Sequence, residues 1–446
     1  MRRREFTAAV VSAFAGNILL DARPRPSPSQ LTWQRDELAL FLHFGVNTFT
    51  DREWGDGRED PAIFDPKGLD ARQWARDARA AGASALILTA KHHDGFCLWP
   101  SRLTTHAVTQ RDVVREFTDA CKREGLRAGL YLSPWDRNTP VYGDSPRYND
   151  FYCDQLTELL TRYGPIAEVW FDGANGEGPN GRRQVYDWPR VFGLVRRLQP
   201  RAVMFSDAGP DVRWCGNERG VAGDPNWSTV DPAAVPYPGA PGDAVIAALQ
   251  HGDPRGTVWR PAEVDVSIRP GWFHHPAEDA RVKTVDELTE IWFTSVGRNS
   301  KLLLNVPPTR DGLLHTTDVA RLAALRAQLT ALFAEDFALN RRVRWRATGP
   351  LTAVAEVDLG RTVSAGIVRL EENIVQGQRV ARYVVHGGVD GAWRELTRGT
   401  TVGHRKLDRF APVSVRTVRV TVEGVVAPQR LRIGVYGAGA SAATPA

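Results

Sequence analysis

The sequence predicts an α/β fold: a (β/α)8 TIM-like barrel followed by a C-terminal β-sandwich. Three observations predict it. Between about Leu38 and Asp336, short apolar runs alternate with amphipathic stretches, as expected of parallel strands buried on both faces and covered by helices. After about Asn340 the pattern changes to short alternating segments separated by turn residues, as in a sandwich. The 446 residues are too many for one small domain and suffice for two. The boundaries read as 1–30 for a leader, 31–338 for the barrel, 339–437 for the sandwich and 438–446 for a small polar tail expected to be disordered.

The leader is justified by its layout. Arg2, Arg3 and Arg4 precede Glu5 and Phe6, and an apolar run from Ala8 to Leu20 follows, interrupted by Gly16 and Asn17. A charged start, a short apolar core and a polar exit make an export signal, and the paired arginines match its twin-arginine variant. A periplasmic or secreted protein is expected, and the run is too short and too interrupted to cross a bilayer as a mature helix. Of the formal charge of +5, most sits in this leader, which holds five arginines against Glu5 and Asp21. The remaining basic residues are scattered, without a long like-charged run or a nucleic-acid motif. A polyanionic partner is therefore not expected.

The barrel strands are the runs 39–45, 84–89, 127–133, 166–172, 202–206 and 301–305. Between them lie helical patterns. In 148–164, Tyr152, Leu156, Leu159, Leu160 and Tyr163 share a face, and in 113–125 Val114, Phe117 and Cys121 do the same, with Gly125 as a stop. Helices are also expected over about 284–296 and 318–333. The stretch 208–261, rich in Gly, Pro, Trp and Asp, is too long for an idle connection and is expected to form a structured insertion over the active face. In the sandwich, 380–386, 417–422 and 431–436 alternate apolar and polar residues. The sandwich could bind sugar, hold calcium or buttress the barrel, and buttressing is the expected role. Cys97, Cys121, Cys153 and Cys215 show no C-x-x-C pair and no zinc spacing, so buried thiols or one incidental bridge are expected. No internal repeat and no cofactor fingerprint occurs, and no cofactor is expected.

Functional residues of a parallel barrel gather at the C-terminal strand ends. Reading each run to its end collects His43; Lys91, His92, His93 and Asp94; Tyr131, Ser133, Trp135 and Asp136; and Trp170, Phe171, Asp172 and Gly173. The adjacent histidines could be loop residues or metal ligands. Neighbouring side chains of an extended segment point to opposite faces, and no H-x-H or H-E-x-x-H spacing occurs, so binding of sugar hydroxyls by neutral imidazoles fits better than metal binding. Asp172 could form a turn before Gly173 or act as a strand-end carboxylate; in the second case a partner carboxyl is needed as proton donor. The 14 tryptophans suit an amphipathic ligand.

Leu42-His43-Phe44-Gly45, Glu53-Trp54, Lys91-His92-His93-Asp94-Gly95-Phe96 and Trp170-Phe171-Asp172-Gly173 together resemble the α-L-fucosidases of glycoside hydrolase family 29. Gly216-Asn217-Glu218-Arg219-Gly220 and Arg269-Pro270-Gly271-Trp272-Phe273 are similar to the branch that prefers α-1,3/1,4-linked fucose. The resemblance implies a retaining double displacement on a fucosylated oligosaccharide or glycoconjugate, with Asp172 as nucleophile. It implies Glu218 as acid/base, with Glu263 as the alternative or as a supporting carboxylate. His43, Glu53, Trp54, His92, His93 and Trp170 match positions that hold the fucose. Tyr131, Arg269 and Trp272 are assigned to the same pocket, and Asp136 and Trp214 to the rest of the glycan. Another retaining exo-glycosidase on the same barrel, or a non-catalytic carbohydrate-binding protein, is the alternative reading. Intact Asp172 and Glu218 argue against the latter.

Overall fold

The structure is a computed structural model and describes residues 23–389 and 391–438. Residues 1–22 of the predicted leader and 439–446 of the predicted tail lie outside the described residues. The fold begins slightly earlier than the sequence reading places it, with α1 (Pro28–Asp36). Ser27 and Gln30 form a reciprocal capping box, which satisfies two otherwise orphaned backbone donors. The Gln30 amide donates to the carbonyls of Asp211 and Trp259 at 2.6 and 2.8 Å, so the first turn is tied to the body of the domain. Trp33 is buried, and its indole donates to Glu168 at 2.9 Å.

The barrel follows in chain order. β1 (Leu38–Leu42) leads into the short α2 (Val46–Thr50) and α3 (Ala71–Ala80). β2 (Ala85–Lys91), α4 (Val113–Glu124), β3 (Arg127–Leu132), α5 (Ser145–Arg162) and β4 (Glu168–Trp170) continue the alternation. Gly125 ends α4 in the left-handed region at φ 71°, where glycine carries no Cβ penalty. Then come α6 (Trp188–Leu198), β5 (Val203–Phe205) and the two-residue β6 (Arg213–Trp214).

The expected insertion divides in two. β6 is a barrel strand in its own right. β7 (Thr229–Val230), α7 (Asp243–His251) and β8 (Val258–Trp259) form an excursion around an antiparallel pair. That pair packs on α1, where Trp259 donates to Gln34 at 3.0 Å, and so does not lie over the active face. The loop after β6 does, and so does the segment around Gly239, whose amide donates to Asp207. β9 (Ala262–Ser267), α8 (Val285–Thr294), β10 (Lys301–Asn305) and α9 (Thr316–Leu332) complete the domain.

The eight strands pair in parallel in the order β5-β4-β3-β2-β1-β10-β9-β6. A parallel bridge between Phe205 and Val212 brings the two edges together and nearly closes the barrel. Inward side chains, including Phe41, Ile87, Tyr131, Trp170, Phe205 and Leu303, fill the interior as a packed core, while the outer faces bury against the helices. The interior is therefore solid, and a ligand can reach only its ends.

The C-terminal domain is an antiparallel sheet of β11 (Val343–Ala347), β12 (Thr352–Glu371), β13 (Val380–Val389), β14 (Ala392–Gly399), β15 (Lys406–Gly424) and β16 (Arg432–Tyr436). Register shifts divide the long β12–β15 ladder between Asp358 and Val363 and between Ala365 and Ile367. Such irregularities let long strands bend around one apolar core. The domain is pinned to the barrel by Arg405 to Glu37 at 2.6 Å and Lys406 to Asp224 at 2.6 Å. All four cysteines are buried and free. No helix among the described residues is long and apolar enough to cross a membrane.

Candidate active site

The C-terminal strand ends place most of the polar set in one pocket. Its floor is aromatic: Trp170 stacks on Phe205 with centroids 4.1 Å apart and lies 5.2 Å from Tyr131, and Phe41 packs against both Trp170 and Tyr131. Asp172 follows Trp170 on the inward register. Its Oδ1 accepts the Ala174 amide at 2.7 Å and its Oδ2 accepts the Tyr131 hydroxyl at 3.2 Å. The side chain keeps 27% of its surface open, so the carboxylate is oriented from below and reachable from above.

His92 and His93 lie side by side with centroids 4.1 Å apart, contrary to the opposite-face expectation. β2 ends at Lys91 and the chain turns at His93 and Asp94, so pleat alternation stops before the pair. Both rings are buried and held neutral, His93 by burial that outweighs the attraction of Asp172. His43 is pushed down to about 3, chiefly by burial. The hydrogen bonds also set two tautomers. Asn305 Oδ1 accepts from His43 Nδ1 at 2.9 Å. Ser133 gives its hydroxyl proton to the Trp135 carbonyl, so its Oγ accepts from His93 Nδ1 at 2.7 Å. Each ring therefore keeps an Nε2 lone pair, and that of His93 lies 4.0 Å from Asp172.

Glu218 sits on the loop after β6, where its Oε2 accepts the Trp272 indole at 3.3 Å. Burial raises its pKa above the ordinary glutamate value, and the charges of Asp172 and Glu53 raise it further. Trp272 also covers His43, with centroids 5.0 Å apart. Glu53 spans two loops: it accepts the backbone amides of Trp272 at 2.5 Å and Phe273 at 3.3 Å, and meets His275 Nε2 at 3.0 Å. Trp54 is 56% exposed at the rim, edge-on to His93 and Trp135 at 5.9 and 5.8 Å.

Three predicted residues lie below the pocket surface, and a fourth, Trp214, is half-buried. Arg269 is fully buried, and its guanidinium is committed to Asp318 at 2.8 and 3.0 Å and Asp279 at 2.8 Å. A guanidinium removed from water needs such partners, and it braces the loop that carries Trp272. Asp136 is buried beneath the rim, accepting Lys91 Nζ and the amides of Asn138 and Thr139, each at 2.9 Å. It therefore does not face outward as expected of a glycan contact. Glu263 lies in the barrel interior, 3.6 Å from Lys301, and accepts the Trp170 indole at 3.0 Å. Burial and neighbouring Glu168 raise its pKa well above the usual range. Trp214 turns its indole onto Asp265 at 2.7 Å.

Asp265, Asp207 and Asn305 were not singled out by the sequence reading. Asp265 is buried, and burial followed by the charge of Glu218 raises its pKa well above the ordinary value. Asp207 is pushed up to about 6 by burial and by Asp172. The available signals were modest: Asp265 follows Glu263 by two residues and so shares its face, and Asn305 and Asp207 fall at or just beyond strand ends. Among the described residues no group of three or more His, Cys, Asp or Glu is arranged to hold a metal ion.

Comparison with known proteins shows what the chain as a whole is similar to. The family model described as Alpha-L-fucosidase matches residues 58–331. The Alpha-L-fucosidase 1 of Arabidopsis thaliana is 41% identical over 437 residues, covering 90% of this chain and 85% of that protein. The solved structure of SpGH29 superposes with a TM-score of 0.88 at 40% identity, covering 93% of this chain and 98% of the other. A Ruminococcus gnavus GH29 fucosidase, solved in complex with fucose, superposes with a TM-score of 0.83 at 31% identity, covering 93% and 95%.

Proposed function

The chain belongs to the α-L-fucosidase family of glycoside hydrolases, and from that premise we propose that it removes terminal α-L-fucose, linked α-1,3 or α-1,4, by a retaining double displacement. The observation that carries the mechanism is the placing of two carboxyl groups at one pocket: Asp172 is held by Tyr131 and the Ala174 amide, and Glu218 accepts the Trp272 indole, where burial and then the charge of Asp172 raise its pKa. Two carboxyl groups in different environments divide the work of nucleophile and acid in this way.

In the first step an Asp172 oxygen attacks the anomeric carbon, the bond to the leaving oxygen breaks, and Glu218 gives that oxygen its proton. In the second, ionised Glu218 takes a proton from water. The water oxygen displaces Asp172, which leaves as the carboxylate. Tyr131 and the Ala174 amide hold Asp172 for both steps. The Nε2 lone pairs of His43 and His93 accept sugar hydroxyls, and the half-buried Trp272 beside His43 supplies an apolar wall. The immersion of Glu263 beneath Trp170 favours Glu218 over it as the acid.

The α-1,3/1,4 preference rests on the Glu218 loop and the Arg269–Phe273 segment, and a panel of fucosylated oligosaccharides tests it. Proton NMR of the first sugar released tests retention: α-L-fucose ahead of mutarotation supports it, and β-L-fucose contradicts it. We also propose export through the twin-arginine-like leader, tested by locating the protein in periplasmic and cytoplasmic fractions.

A further inference from the structure

One titratable group near the pocket has no part in this mechanism. His275 lies on the loop after β9, with Nδ1 2.8 Å from Asp51 Oδ1 and Nε2 3.0 Å from Glu53 Oε2. Both carboxylates belong to the loop after α2, so one imidazole ties two loops of the active face together. The remaining capacity of Glu53 goes to the amides of Trp272 and Phe273. The loops approach so closely at Gly271 that a Cβ there would meet Glu53 at 2.8 Å and His275 at 3.2 Å. Trp272, fixed by its own amide, then reaches Glu218 with its indole at 3.3 Å.

We infer that His275 is a positioning residue: by clamping Asp51 and Glu53 it fixes the loop that holds Trp272 against Glu218. The inference rests on Glu218 being the acid/base. An imidazole with carboxylates on both sides is best bound when protonated, and Asp51 and Glu53, with Glu278 beyond them, hold its pKa above the ordinary value against burial. Removing the clamp loosens Glu53 and with it the Trp272 amide, leaving the Asn305 bond to the Trp272 carbonyl at 2.8 Å; the proton donor is then less well aimed, and displacements of about 1 Å can cost up to about 10²-fold in rate.

The test compares two substrates on the full chain: a fucosylated oligosaccharide, whose leaving oxygen needs a proton, and a dinitrophenyl α-L-fucoside, whose leaving group does not. His275→Leu is expected to lower kcat/KM on the oligosaccharide by roughly ten- to a hundredfold while changing the aryl substrate by less than about threefold. His275→Gln, which keeps a donor toward Glu53, is expected to restore most of the loss. Asp51→Asn loosens the ring from a half-exposed position and tolerates the left-handed backbone there (φ 57°). It is expected to give a smaller loss of the same kind, and it carries the test should His275→Leu not fold. Equal losses on both substrates, or none, overturn the inference. Glu218→Gln is run alongside. If it shows the leaving-group dependence and the His275 and Asp51 variants do not, only the clamp is wrong. If Glu218→Gln lacks it, the acid assignment and the clamp fall together.

Discussion

Tyr131 donates its hydroxyl to Asp172 Oδ2 at 3.2 Å from the adjacent barrel strand, while the Ala174 amide holds the other oxygen. In the proposed double displacement, a donor fixed beneath the nucleophile stabilises the carboxylate when it departs from the covalent intermediate. Tyr131→Phe keeps the ring packed against Trp170 and Phe41 but removes that donor. Hydrogen bonds to charged groups contribute about 1.5–3 kcal/mol, so breakdown of the fucosyl-enzyme is expected to slow by roughly ten- to a hundredfold. Stopped-flow hydrolysis of an activated aryl fucoside checks this: kcat and KM fall together and a burst of phenol appears.

The Trp272 indole stabilises the ionised form of Glu218. Its hydrogen bond therefore opposes the upward push of burial. Trp272→Phe removes that donor, so the pKa of Glu218 rises. Since the first step of the proposed mechanism needs Glu218 protonated, the alkaline limb of kcat/KM is expected to move to higher pH. A shift to lower pH, with substrate affinity intact, contradicts the arrangement.

Beneath the pocket, Lys301 sits between Glu168 at 2.9 Å and Glu263 at 3.6 Å, all three side chains essentially inaccessible to solvent. Removing one member of such a cluster strands the others, at a cost of about 3–5 kcal/mol. Lys301→Met is expected to lower thermal stability accordingly. Glu263→Gln keeps an acceptor for the Trp170 indole and removes one carboxyl from a crowded cluster. Its turnover should stay within about tenfold of wild type, below the 10²–10⁴ that general acid–base catalysis contributes. Loss of all measurable turnover in a folded Glu263→Gln enzyme would move the acid role there.

Much of the barrel is legible in the sequence, because strands buried on both faces leave unbroken apolar runs such as Leu86-Ile87-Leu88. β6 was not, since two residues closing a barrel edge carry no periodicity. The strand ends pointed to Asp172 and the histidines through topology, whereas the reach of an individual side chain depends on its partners. The resemblance assigns Arg269 to the fucose pocket and Asp136 to the rest of the glycan, yet Asp318 and Asp279 hold the first and Lys91 the second in ion pairs. Those partners come from other elements, so no local pattern announces them. The convergence of His92 and His93 needed the knowledge that β2 stops at Lys91. Asp265 was hidden because its significance comes from contact with Trp214, 51 positions away.

The assignment of Asp172 as nucleophile and Glu218 as acid/base is tested most directly by azide rescue of Asp172→Ala and Glu218→Ala on an activated aryl α-L-fucoside. Both variants should be severely impaired without azide, by about 10²-fold or more. With azide, Asp172→Ala should release β-L-fucosyl azide by direct displacement. Glu218→Ala should release α-L-fucosyl azide, formed by attack on the fucosyl-enzyme. The same anomer from both variants, or no rescue of either, contradicts the assignment.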